Sequence, residues 1–69
     1  MTKREQVLVA DGFEPVKNAA KFLGISRSRV YELIAGGVLT HARLGGRLVV
    51  SRSALREYAA GLLEIGPVA

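Results

Sequence analysis

The chain reads as a mainly α-helical domain with a small β-hairpin: about three helices, a two-stranded hairpin, and an extra strand or ordered arm at the N-terminus. Three observations predict this. Apolar residues recur at helical spacing in three stretches, around Val16–Leu23, Val30–Ile34 and Leu55–Leu62. A serine precedes two of these stretches and a glycine follows the first two, as helix starts and stops require. Two β-prone runs then flank Gly45-Gly46. At 69 residues the chain is one small domain, near the lower limit for folding without a covalent or metal staple.

Taken in order, Gln6-Val7-Leu8-Val9 is a short apolar run closed by the turn signal Asp11-Gly12, so residues 1–12 are expected as an edge strand or arm. Pro15 suits the first position of a helix, where its missing N–H costs nothing. From there Val16, Ala19, Ala20, Phe22 and Leu23 form a stripe that Gly24 ends. Ile25 follows as a buried staple and Ser26 as the N-cap of a second helix. Val30, Leu33 and Ile34 face the core of that helix, which leaves Arg27, Ser28, Arg29, Tyr31 and Glu32 on its outer face or tip. Gly36-Gly37 ends it, and Val38-Leu39 return to the core.

Thr40 to Ser51 forms the hairpin, and two registers compete. A two-residue loop pairs Leu44 with Arg47 and Arg43 with Leu48, mixing charged and apolar groups on both faces. A three-residue loop, Leu44-Gly45-Gly46, pairs Arg43 with Arg47 and His41 with Val49 and leaves Ala42, Leu48 and Val50 as a core side. Burial favours the second register. Ser51 or Ser53 then caps a third helix with Leu55, Tyr58, Ala59 and Leu62 inside and Arg52, Arg56 and Glu57 outside, ended by Gly66-Pro67. Phe22 and Tyr58 are assigned to the core. Residues 13–65 form the domain proper and 66–69 a tail.

Composition removes several function classes. The chain has no cysteine, which excludes disulfides and thiolate metal sites and makes a reducing cytosol the simplest compartment. The single histidine, His41, cannot build a zinc site unaided. No apolar run approaches the ~20 residues that span a bilayer, and the first residues lack the apolar stretch of a signal peptide. Acidic residues are scattered rather than paired, His41 has no evident carboxylate partner, and no phosphate-binding glycine loop is present. The expectation is a non-enzymatic cytoplasmic protein with no cofactor, no metal, no small-molecule ligand and no membrane contact.

Charge points to the partner. The net charge is +4, and from Lys17 to Arg56 eight basic residues stand against Glu32 alone, with the other acids toward the ends. A basic centre with acidic flanks is the footprint of a polyanion-binding surface. The basic, hydroxyl-bearing run Ser26-Arg27-Ser28-Arg29 opens the second helix, a rod narrow enough for a DNA major groove. Arginines at a helix N-terminus oppose the helix dipole, so two of them suggest a negative ligand that offsets the cost. The amides there could themselves receive a phosphate. Tyr31 would stack, bond to phosphate or cover the wing. Glu32 would accept from a cytosine amine or pair with a nearby arginine.

In the hairpin, Arg43, Gly45, Gly46 and Arg47 make a tip suited to a minor groove, with both arginines on one face. Lys17, Lys21 and Arg52 are further candidates for phosphate contact. The competing readings are a plain helical hairpin with solvated arginines, and a protein-interaction adaptor or RNA binder that uses the same fold.

The run from Pro15 to Tyr31 (Pro-Val-Lys-Asn-Ala-Ala-Lys-Phe-Leu-Gly-Ile-Ser-Arg-Ser-Arg-Val-Tyr) carries a resemblance, continued by Gly37-Val38-Leu39, Arg43 to Val50 and Ser53-Ala54-Leu55. Together these resemble the excisionase family, small winged helix–turn–helix DNA-binding domains related to the MerR-like fold. The likeness covers Pro15 to about Tyr58. It implies that Ser26, Arg27, Ser28, Arg29 and Glu32 enter a major groove while Arg43, Gly45, Gly46 and Arg47 reach the adjacent minor groove. Glu32 stands where the family commonly has a basic residue, and Leu48 where a wing tryptophan is common.

Family resemblance further implies a bacteriophage recombination directionality factor acting in a bacterial host. Such a protein binds and bends attachment-site double-stranded DNA and directs an integrase toward excision. A small transcriptional regulator or repressor is the alternative. Because a 69-residue monomer covers only a short site, useful affinity is expected to need several copies in a row on DNA. Leu62-Leu63-Ile65-Pro67-Val68 and Val7-Leu8-Val9 are the candidate self-contacts.

Overall fold

A computed structural model describes residues 1–64 and Gly66. Four helices and a three-stranded antiparallel sheet follow one another as α1 (Lys3–Ala10), β1 (Phe13–Pro15), α2 (Val16–Leu23), α3 (Arg27–Ala35), β2 (His41–Leu44), β3 (Arg47–Ser51) and α4 (Arg52–Leu62). The mainly helical class with a β-wing is as expected; the number of elements is larger.

The N-terminal segment is a helix rather than a strand. Thr2 and Glu5 form a reciprocal capping box: the Thr2 hydroxyl accepts from the Glu5 amide at 3.1 Å, and the Glu5 carboxylate accepts from the Thr2 amide at 2.8 Å. Only Leu8 of the apolar run is buried, so Val7 and Val9 need no second sheet face and the local cap decides the conformation. An extra strand does exist, but farther along at β1. It occupies one edge of the sheet, order β1-β3-β2, where Pro15 can be tolerated. Pro15 is therefore the N-cap of α2 with extended backbone, one residue before the helix itself.

Gly24 ends α2 in the left-handed conformation, φ 71°. Its amide donates to Lys21 O at 3.3 Å and the Ile25 amide to Ala20 O at 3.0 Å, a Schellman turn. Ile25 then packs, half-buried, against the core. Ser26 caps α3, its Oγ accepting from the Arg29 amide at 3.1 Å. The core joins Val16, Ala19 and Ala20 of α2, Val30, Leu33 and Ile34 of α3, and Leu39, Val50 and Leu55, with Leu48 and Tyr58 partly buried beside it. Three expected core residues lie outside it: Phe22 is 52% exposed, and Val38 and Leu62 are also exposed. Phe22 follows Lys21 on the outward side of a helix only eight residues long, and α4 ends at Leu62, four residues before Gly66.

The hairpin adopts the two-residue loop, not the three-residue one. Leu44 pairs with Arg47, Arg43 with Leu48, Ala42 with Val49 and His41 with Val50. Gly45 and Gly46 both have positive φ, 56° and 85°, which the tight turn matching the twist of paired strands demands. The objection to this register assumed one buried face. Because β3 is the central strand, Val49, Val50 and Ser51 are all buried and both its faces are covered. Directly paired residues share a face and successive ones alternate. Arg43 therefore sides with Leu48, Arg47 with Leu44, and the two arginines project from opposite faces of the wing rather than one.

Ser51, fully buried, binds the N-terminal elements together. Its Oγ donates to Leu8 O at 2.5 Å and accepts from the Ala54 amide at 3.2 Å, so it caps α4 and anchors α1 together.

Candidate nucleic-acid interface

The site grows from the local structure of α2 and α3. Lys17 lies in the first turn of α2 and Lys21 in the last, four residues apart and hence on one face of the helix. Like charges at that spacing repel by a few tenths of a kcal/mol. The Schellman turn folds the chain back so that Ser26 and Arg27 start α3 beside them. An open cleft of about 380 Å³ results, with Lys17, Lys21 and Arg27 on its walls and Ala20, Gly24, Ile25 and Ser26 completing it. No acidic residue stands in the first turn of α3, so three cations surround a helix start that carries partial positive charge of its own.

Ion pairing sorts the remaining basic groups. Arg4 donates to Glu57 at 2.6 Å, Arg56 pairs with Asp11, and Arg52 lies 3.8 Å from Glu14 while donating to the Asp11 carbonyl at 3.4 Å. These pairs knit α1 and β1 to α4. The hydrogen bond from Arg4 holds the Glu57 carboxyl below its ordinary range, and the same bond raises the Arg4 guanidinium. The Thr2 amide likewise lowers the Glu5 carboxyl. Among the described residues Lys3 on α1 and, at the cleft and wing, Lys17, Lys21, Arg27, Arg43 and Arg47 have no acidic partner. Arg52, grouped with the two lysines on sequence grounds, sits on the α1–α4 seam and not in the cleft.

On α3, Arg27, Ser28, Arg29, Tyr31 and Glu32 are all exposed. Arg29 donates to Glu32 at 3.0 Å, one of the two arrangements expected of that glutamate. Both side chains are more than half exposed, so the pair contributes about 0.2–0.5 kcal/mol and is readily exchanged for other partners. In the wing, Arg43, Gly45, Gly46 and Arg47 are exposed, and β2 packs chiefly on β3, which leaves the tip clear of the helical body. Sequence reasoning does not single out Leu44, which is 54% exposed at that tip. Nor does it mark Ala20 and Gly24 as cleft residues, although their small size beside two lysines is a usable signal.

The arrangement has a cationic notch at the mouth of a helix–turn–helix, an exposed polar rod leading from it, and a slender β-finger alongside in sequence. Among the described residues, no His, Asp and Glu side chains gather as a metal site, and no helix is long and apolar enough to cross a membrane.

Residues 16–62 match the family model described as a helix-turn-helix domain. The chain belongs to this family and is a DNA-binding helix–turn–helix protein. Over 48 residues it is 40% identical to a protein of Saccharopolyspora erythraea named a probable excisionase, a match covering 70% of this chain and 49% of that relative. The excisionase resemblance read from the residues is thus borne out, while the chain spans about half the length of the curated relative it matches. No solved structure matches it.

Proposed function

We propose that the protein is a sequence-reading architectural DNA-binding protein of the excisionase type. In this reading the leading end of α3 enters the major groove, where Arg27, Ser28 and Arg29 meet base edges and Glu32 releases Arg29 to do so. Tyr31 lies toward the flanking backbone. Lys17 and Lys21 grip the phosphate strand that crosses the cleft, and Arg43 and Arg47, on opposite faces of the wing, address the two walls of the neighbouring minor groove across Gly45-Gly46. One observation supports it: five cations at the helix–turn–helix mouth and on the wing have no acidic partner among the described residues, while the arginines of the α1–α4 seam are neutralised.

Residues 13–65 would be the DNA-contacting unit. Copies bound side by side would deform the DNA at a cost of a few kcal/mol, on the order of 1–6, offset by shared contacts. Exposed Leu62 and Leu63 and the outward Val7 and Val9 offer apolar area for such contacts; Ile65, Pro67 and Val68 lie outside the described residues. The bound array would then recruit an integrase and turn recombination toward excision inside the bacterial cell, as the name of the Saccharopolyspora relative suggests.

Titrating labelled duplexes by fluorescence anisotropy tests the interface. Arg27→Ala should lose about 1–3 kcal/mol on a selected site if the side chain reads a base edge, and less on random DNA, where only its charge contributes. Undiminished affinity in Arg27→Ala and Lys21→Ala alike would defeat the placement. An excision assay with a purified integrase distinguishes an excisionase from a repressor: a repressor would bind the same duplex yet leave excision unchanged.

A further inference from the structure

We propose that Leu44 is an apolar wedge that enters a base-pair step of the minor groove and unstacks it. The inference rests on the DNA-binding reading and assigns a role to a residue outside the basic surface. Leu44 is the last residue of β2 and 54% exposed, and it pairs directly with Arg47 across Gly45-Gly46. The two therefore share one face of the wing, a leucine beside a cation with no acidic partner among the described residues. A Cβ built on either glycine meets nothing within 4 Å, so the tip is free of the body and bounded only by its own backbone.

The dimensions fit. Two paired strands lie about 4.8 Å apart axis to axis, so with its atoms counted the ribbon is wider than a B-form minor groove of about 6 Å, and only side chains at the glycine tip can enter while the backbone rides the groove's rim. Arg47 supplies the attraction to the groove's negative potential and fixes the approach. Leu44 then projects toward the base edges, where a branched aliphatic side chain finds no hydrogen-bond partner and gains only by leaving water between bases. Leucine is among the side chains that proteins insert into opened steps. Pyrimidine–purine steps unstack most easily and are the expected target. A second protein copy is the other surface that could cover Leu44. The adjacent cation favours the polyanion.

The experiment uses the full chain and a 25-base-pair duplex selected from a random pool by the wild-type protein, with 2-aminopurine placed at successive steps. Wild type should raise the fluorescence several-fold at one step beside the wing, reporting loss of stacking. Leu44→Ala and Leu44→Gln should abolish most of that rise while binding within about fivefold of wild type, and Leu44→Phe should keep it. Leu44 is exposed, so these variants test contact and not folding. Duplex binding with no bright step, or a bright step untouched by Leu44→Ala, overturns the wedge and leaves the DNA-binding reading standing. If Leu44→Ala changes only the cooperativity between two adjacent sites, the leucine contacts a neighbouring copy and the wedge is again overturned. Failure of the pool to yield any bound duplex overturns both.

Discussion

The sorting of charges makes a quantitative forecast for the salt dependence of DNA binding. Five basic side chains at the cleft and wing (Lys17, Lys21, Arg27, Arg43 and Arg47) lack an acidic partner among the described residues. If each displaces one condensed counterion, log affinity against log salt should fall with a slope of about −0.9 × 5, or about −4.5. Raising salt about fourfold, from about 50 to about 200 mM, would then weaken binding by about 500-fold. Anisotropy titrations across that range measure the slope. Lys17→Ala, Lys21→Ala and Arg27→Ala should each flatten it by about 0.9. Arg4→Ala should leave it unchanged, because Glu57 already holds that charge at 2.6 Å. Glu32→Gln should steepen it by up to about 0.9, since Arg29 is then unpaired. A slope shallower than about −2, or equal flattening by Arg4→Ala and Lys17→Ala, would refute the assignment of the interface.

Three further outcomes are expected. Leu39→Ala removes a side chain that is 2% exposed and should cost about 2–5 kcal/mol in urea denaturation, enough to unfold much of so small a domain; a loss below about 1 would mean the site collapses around the gap. Gly24→Ala meets no atom within 4 Å, so its cost is conformational, about 1–2 kcal/mol at φ 71°; a neutral result would show that the turn relaxes. Because the carboxyls of Glu5 and Glu57 are lowered in the folded chain, the stability they confer is present above the ordinary glutamate value of about 4.3 and lost as pH falls through their lower folded values. Below about pH 4 the protection of α1 amides from exchange, relative to the unfolded rate at the same pH, should fall ahead of that of α3, and Glu57→Gln should remove part of that acid sensitivity; identical profiles for the two helices would contradict it.

The parts of the fold legible in the sequence are those set by local chemistry. The turn and start of α3 were legible because Gly24, Ser26 and the Val30-Leu33-Ile34 stripe each act within one turn of their position, whereas Phe22 fell outside the core its spacing predicted. The N-terminal helix was equally local, and its Thr2-x-x-Glu5 capping box was present to be read. The apolar run Val7-Leu8-Val9 carries a competing strand signal. The hairpin register was misread for a non-local reason. Burial of a two-stranded wing favoured the longer loop, but β1 on the far side of β3 makes the central strand buried on both faces, and the preference of Gly45-Gly46 for a tight turn prevails. Pairing of charges across the fold was likewise invisible. Nothing in the spacing of Asp11, Glu14 and Glu57 says that they meet Arg56, Arg52 and Arg4.

Those three pairs have a kinetic consequence. A molecule whose positive potential is cancelled along one seam and intact at its helix–turn–helix mouth and wing experiences a torque in the field of a polyanion before any atom touches. It should swing round during approach and arrive with the α2–α3 mouth leading, so a larger share of collisions is productive than random tumbling would give. Moving one of the seam carboxylates would then slow capture while leaving the bound complex itself unaltered.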